Sequence, residues 1–282
     1  MSGTKTALVT GASAGIGVEI ARGLVMAGYR TSLAVRNREK GEAAARDIAS
    51  TTGSEAPEVC VVDFSLMSSV GTFADAFLAR HPTLDVLANN AGTCITARTE
   101  TTEGIETSWA TNQLGYFLGT ELLLPALRKA PSARIVSVAS ELARDLDLDD
   151  VEFRRRSYGG ITAYAQSKQA NRMWTRALAR RLAGTNVTAN SLHPGGVATE
   201  IFGKAGGLLG KAAGVAVSMM GRTPAQGADT AVWLATSMDV EGKTGGFYFD
   251  RRERRCRFDN PAEEERLWAL CASMTTTATA NR

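Results

Sequence analysis

Cysteine and histidine are scarce in this 282-residue chain. Cys60, Cys94, Cys256 and Cys271 stand in no Cys-x-x-Cys spacing, so the sequence shows no disulfide framework and no redox pair. His81 and His193 have no Cys/His cluster around them, so no metal site is expected. Long apolar runs are missing too: none reaches the ~18 residues of a membrane span, and no leader precedes the first strand pattern. The expected location is therefore cytoplasmic. Charge of one sign is not in large excess. A net charge of +3 and a pI of about 8.7 are too small for a nucleic-acid footprint. The one basic run, Arg251, Arg252, Arg254, Arg255 and Arg257, is interrupted by Glu253 and followed by Glu263 to Glu265. It reads as a solvated or subunit-facing edge.

What is present is an ordinary soluble composition, 44% hydrophobic and 22% charged, able to bury a large core. The pattern alternates strand and helix. Strands are predicted at 6–10, 31–35, 59–62, 84–88, 134–138, 187–192 and 246–249. Helices are predicted at 16–27, 39–50, 67–80, 107–129, 163–182 and 225–236. Strands that are unbroken apolar runs fit a sheet covered on both faces. With right-handed crossovers, this is an α/β fold: one doubly wound parallel sheet with helices on both faces, spanning 1–282 as a single domain. Ligands of such sheets bind beyond the carboxyl ends of the strands, which is where chemistry is sought.

The first strand runs into Gly11-Ala12-Ser13-Ala14-Gly15-Ile16-Gly17. Glycines let the backbone approach a pyrophosphate, and the following helix offers its free N–H groups and positive dipole end. The alternative is a plain βα turn. The second strand ends Ala34-Val35-Arg36-Asn37. A carboxylate there would accept the ribose hydroxyls of NAD and repel a 2′-phosphate, whereas Arg36 offers a planar fork for that phosphate. NADP(H) is favoured, with a simple surface arginine as the other reading of Arg36. Tyr164 and Lys168 stand at i and i+4, on one face of a predicted helix. A free phenol titrates near ~10 and is a poor acid or base at neutral pH. An ammonium one turn away, with an oxidised nicotinamide nearby, stabilises the phenolate and lets the tyrosine exchange protons with a carbonyl or alcohol oxygen.

The Gly-x-x-x-Gly-x-Gly spacing and the Tyr-x-x-x-Lys pair resemble the short-chain dehydrogenase/reductase family, a Rossmann-type fold. Further motifs extend the likeness from about Thr4 to Met274: Asn89-Asn90-Ala91-Gly92 after the fourth strand, Asn112 mid-helix, Ser140 at the tip of the fifth strand, and His193-Pro194-Gly195-Gly196-Val197-Ala198-Thr199 after the sixth. The resemblance implies a catalytic set of Asn112, Ser140, Tyr164 and Lys168. Ser140 would orient the substrate oxygen; Ser137 is the near competitor. Lys168 would also grip the nicotinamide ribose and connect through water to Asn112. The implied cofactor contacts are Gly11, Ser13, Ala14, Gly15, Ile16, Gly17, Arg36, Asp63, Asn90, Ala91, Gly92, Tyr164, Lys168, Pro194, Gly195, Val197 and Thr199. Asp63 would touch adenine, with a helix N-cap as its structural alternative. His193, in the turn before Pro194, reads as structural rather than as a general base.

The interval from Ser140 to Tyr164 is 24 residues, longer than is usual in the family. This insertion, about 141–160, resembles the retinol-dehydrogenase-like branch, as do Gly227-Ala228-Asp229-Thr230, Trp233-Leu234-Ala235 and Gly245-Gly246-Phe247-Tyr248-Phe249. Membrane-bound members of that branch carry an apolar N-terminal anchor, which this sequence lacks. The apolar, glycine-rich stretch 200–222 suits an adaptable substrate lid. The implied function is an NADP(H)-dependent carbonyl reductase acting on a lipophilic or polycyclic ketone or aldehyde. Its competitors are an alcohol dehydrogenase working oxidatively and a catalytically silent NADP-sensing regulator. The resemblance further implies a homodimer or homotetramer formed through the helices at 107–129 and 163–182.

Overall fold

The computed structural model describes residues 4–197 and 221–279. Strands β1 (Thr6–Thr10) and β5 (Ala133–Val138) are buried at every position, because helices cover both faces of the sheet. Among the described residues the sheet has eight strands. The others are β2 (Arg30–Val35), β3 (Glu58–Val61), β4 (Val86–Asn89), β6 (Val187–Leu192), β7 (Phe247–Phe249) and β8 (Arg252–Arg254). Their order is β3-β2-β1-β4-β5-β6-β7-β8. Winding proceeds outward from β1 in one direction and from β4 in the other. The crevice beyond the carboxyl ends of β1 and β4 is therefore the topological switch point.

On one face lie α1 (Gly15–Met26), α2 (Arg38–Thr52) and α7 (Pro224–Thr236), with Ile20, Leu24, Ile48 and Leu234 in the core. On the other lie α3 (Met67–Arg80), α5 (Gly115–Lys129), α6 (Gly160–Arg181) and α8 (Pro261–Thr279), packing Phe77, Trp109, Trp174 and Leu267. The helix expected at 107–129 is not uniform. A single turn, α4 (Thr107–Trp109), passes into a π-helical turn (Ala110–Leu114) before α5 begins. The Gly115 N–H bonds back to the Ala110 carbonyl, five residues earlier.

Two elements correct the sequence reading. The sheet is not wholly parallel: β8 pairs antiparallel with β7 through a two-residue turn at Asp250 and Arg251, both at positive φ. The basic run thus includes an exposed edge strand. Helix α8 is the second. Leu267 and Cys271 are fully buried, Trp268 sits edge-on to Phe117 at 5.0 Å, and Arg181 lies 3.9 Å over Trp268. Glu264, 0% exposed, pairs with Arg176 and Arg180 of α6. Helices α5 and α6 therefore already carry a partner from within the same chain.

Segment 141–160 is a packed loop. The Asp150 carboxylate accepts from the backbone N–H groups of Arg154, Arg155 and Arg156, while Val151 and Phe153 are buried. The Tyr158 hydroxyl donates to the Ile95 carbonyl at 3.0 Å. The expected lid at 200–222 and Thr199 lie, apart from 221–222, outside the described residues. Among the described residues no helix is long and apolar enough to cross a membrane, and no His/Cys/Asp/Glu group could hold a metal ion.

Candidate active site

The glycine loop closes the carboxyl end of β1. Gly11 and Gly15 adopt φ of +67° and +59°, which side-chain-bearing residues avoid. A Cβ on Gly17 would lie 2.4 Å from the Gly11 carbonyl oxygen and 2.6 Å from Asn90 Nδ2, so the loop closes only on glycine there. Asn90 Nδ2 donates to the Thr10 and Gly11 carbonyls at 2.9 and 3.3 Å. Thr10 Oγ1 accepts from the Asn90 and Ala91 N–H groups at 2.8 and 2.9 Å. Asn90 and Ala91 thus brace the loop itself.

Helix α1 then starts with no side-chain cap and no acidic residue in its first turn. Its N–H groups and dipole end point at the crevice, with Ser13 and Ala14 partly or fully exposed beside it. The side chain of Ile16 turns away into the core. Arg36 is exposed just past β2, and Asn37 uses its side chain to cap α2. This donor set fits an anionic dinucleotide.

Asp63 is not the cap of α3. Its Oδ1 accepts from the Ser65 N–H and hydroxyl at 2.9 and 2.7 Å. The exposed N–H groups of α3 are met from 36 residues away, where Glu103 accepts from Met67 and Ser68. A capping residue this distant in sequence leaves no local signal.

The reaction centre forms where α6 crosses the π turn. Positions 164, 167, 168 and 171 follow the i, i+3, i+4, i+7 rule and so share one helical face, here polar and buried. Lys168 Nζ lies 5.7 Å from the Tyr164 ring centroid and 5.3 Å from that of Tyr116. It donates to the Val138 carbonyl at 2.9 Å and to Asn171 Oδ1 at 3.1 Å. Tyr164 is hydrogen-bonded to Ser140. Asn112 accepts from the Thr93 N–H at 2.8 Å and donates to the Thr93 carbonyl and Ser167 Oγ. A Cβ added to Gly92 would lie 3.5 Å from Asn112 Oδ1 and 3.8 Å from Lys168 Nζ. The fold therefore assembles all four expected catalytic residues, with Gly92 at their border. Ser137 Oγ is enclosed without a hydrogen-bond partner among the described residues, so Ser140 is the serine that meets Tyr164.

Burial pushes the Tyr164 phenol up to about 12, with the Ser140 hydrogen bond acting against it. Burial likewise pushes the Lys168 ammonium down to about 7. Tyr164 is held as a phenol at neutral pH, the form required of a general acid.

Four more residues act here that the sequence reading did not single out: Gln113, Ser167, Asn171 and Arg172. Arg172 is 2% exposed, with its guanidinium 3.6 Å from the Phe247 ring centroid. It donates to the Ser140 carbonyl and fixes the turn that carries the serine. Its position next to Asn171, in the buried middle of α6, is unusual, since arginine is almost never fully buried unless paired. His193 is structural, as expected. Its Nδ1 accepts from the Gly195 N–H at 3.3 Å, and its ring stacks on Phe249 at 4.0 Å. Pro194 is buried. Val197 packs in the core with Ile16.

A doubly wound sheet with a glycine loop at its switch point and a Ser-Tyr-Lys cluster beside it defines an oxidoreductase that uses a nicotinamide cofactor. Comparison with known proteins sharpens this. Residues 5–206 match the short chain dehydrogenase family. Retinol dehydrogenase 12 of Mus musculus is 37% identical over 274 residues, covering 96% of this chain and 86% of that protein. A solved structure of an uncharacterized protein from Mycobacterium Paratuberculosis superposes with a TM-score of 0.76 at 32% identity, covering 96% of this chain and 93% of the other. A short chain dehydrogenase from Escherichia coli CFT073 complexed with NADPH gives 0.66 at 25% identity, covering 86% and 95%. The chain belongs to the short-chain dehydrogenase family and is similar to its retinol dehydrogenases.

Proposed function

We propose that this protein is an NADP(H)-dependent oxidoreductase that passes a hydride between the nicotinamide and a carbonyl or alcohol carbon, reducing a lipophilic or polycyclic ketone or aldehyde. The observation that carries the reading is the buried cluster in which Ser140 bonds Tyr164 and Lys168 stands behind the ring. The bound nicotinamide would supply the hydride. Ser140 would hold the substrate oxygen, and Tyr164 would release its phenol proton to it. Lys168 would use its remaining N–H on the ribose hydroxyls and compensate the charge left on Tyr164. Arg36 beside the uncapped start of α1 supports NADP(H), as does the NADPH complex of the Escherichia coli neighbour. The likeness to retinol dehydrogenase 12 supports a lipophilic substrate.

The test is a panel of aromatic, steroid-like, retinoid and polyketide-like carbonyls, followed by oxidation of NADPH or NADH. Turnover of bulky apolar carbonyls with NADPH is expected. Tyr164→Phe should lower kcat/KM by about 10²–10⁴-fold while NADPH still binds. Arg36→Ala should raise KM for NADPH far more than for NADH. A preference for small polar ketones overturns the substrate class; a Tyr164→Phe variant as active as the parent overturns the chemistry.

A further inference from the structure

The polar face of α6 continues past the lysine. Asn171 is 0% exposed and stands three residues on. Its Nδ2 donates to the backbone carbonyl of Asn112 at 2.8 Å and to Gln113 Oε1 at 2.9 Å. Gln113 Nε2 in turn reaches Cys271 Sγ of α8 at 3.5 Å. These contacts fix the amide's orientation. An ammonium only donates, so the oxygen of Asn171 must face Lys168, and its nitrogen already serves two acceptors on the far side. The expected link from Lys168 to Asn112 was a water. A side-chain amide also joins the two directly, touching Lys168 with one end and the π turn with the other.

We propose that Asn171 is a positioning residue of the reaction: its amide joins the Lys168 ammonium to the Asn112 carbonyl and Gln113, and so sets where the lysine stands and how firmly it keeps its charge. This rests on the assignment of Tyr164 and Lys168 above. The physical argument is the balance at Nζ. Burial disfavours the ammonium, and the Val138 carbonyl and Asn171 Oδ1 are the two acceptors that favour it. Removing one of them shifts the lysine toward the neutral amine, and a neutral amine no longer supports the tyrosinate. The π turn matters because it brings the Asn112 carbonyl to the amide. Gln113 matters because it holds the amide from flipping.

The experiment uses the full-length chain with 13Cε-labelled lysine, titrated by NMR with no substrate present. The Lys168 signal is identified by its loss in Lys168→Met. Asn171→Ser removes the acceptor and is expected to lower the Lys168 midpoint by about one pH unit, the scale of a hydrogen bond to a charged group. Asn171→Asp keeps the shape and sets a carboxylate against Nζ; Gln113 can turn its amide to meet the new oxygen, while the Asn112 carbonyl gives up its donor. It is expected to raise the midpoint by at least about one unit. With the best carbonyl from the panel and NADPH, Asn171→Ser should lower kcat roughly tenfold and displace the pH profile while KM for NADPH holds. If both variants titrate Lys168 at the parent midpoint, or if the midpoint moves while kcat and the pH profile do not, the proposal is overturned. The titration stands even if no carbonyl is turned over, which separates it from failure of the reaction assignment.

Discussion

Replacing Gly17 with alanine tests how the phosphate loop is built. The new Cβ would sit 2.4 Å from the Gly11 oxygen and 2.6 Å from Asn90 Nδ2, both too close for any real contact. Overpacking of this kind costs about 1–3 kcal/mol. To make room, Asn90 must move, and its two bonds to the Thr10 and Gly11 carbonyls are each worth about 0.5–1.5 kcal/mol. The sum is roughly 2–6 kcal/mol, divided between the fold and the cofactor site. A comparable change at Gly196 serves as the control, because among the described residues an added Cβ there meets nothing within 4 Å. In a fluorescence titration with NADPH, Gly17→Ala should bind on the order of 10–10³-fold more weakly, as about 1.4 kcal/mol is tenfold. Its melting point should fall by several degrees, at about 2–4 °C per kcal/mol for a large domain. Gly196→Ala should behave as the parent in both assays. If Gly17→Ala binds NADPH and melts like the parent, the close-packing account of the loop is wrong.

Two further predictions concern buried charge. Because burial holds Lys168 at about 7 against an ordinary 10.5, the unfolded chain binds the extra proton between those values. Stability contributed by this site therefore rises with pH from about 7 toward 10.5. The difference in melting point between the parent and Lys168→Met should move in the parent's favour over that window; a difference constant from pH 7 to 10 refutes it. At the other face of α6, Glu264→Gln should cost about 2 kcal/mol in urea unfolding. That is less than the full loss of a buried ion pair, because Arg176 and Arg180 keep partial access to water. An unchanged midpoint would show that α8 is held by its apolar contacts alone.

The sheet and the reaction centre were readable because they rest on local spacing. An apolar run followed by glycines marks β1 and the loop, and a four-residue interval puts Tyr164 and Lys168 on one face. What escaped depends on distance or on unusual turn chemistry. The β7–β8 hairpin turns on Asp250 and Arg251 in left-handed conformation, where Asn-Gly would have announced it. Glu103 caps α3 from far along the chain. Helix α8 has little amphipathic contrast in its sequence, since its charged Glu264 is buried alongside Leu267 and Cys271. Asn171 hid for a related reason: its partners, Asn112 and Gln113, lie in another helix, and only the crossing reveals them. Asn112 stands mid-helix in the sequence pattern, and the structure places it in the π turn.

That π turn gives the helix a different tolerance to length than to composition. An α-helix advances about 100° per residue, and a π turn holds one residue beyond the α ladder. Deleting any single residue from Ala110–Leu114 would let the ladder run on unbroken as ordinary α-helix. The flanking turns would stay nearly in phase, because the π turn holds its extra residue within one turn, and what would be lost is the widened turn that carries Asn112. Asn112 would then be displaced from Thr93 and Ser167, which it reaches from inside that widened turn. Many side chains in this helix can change while the site survives, but its residue count cannot.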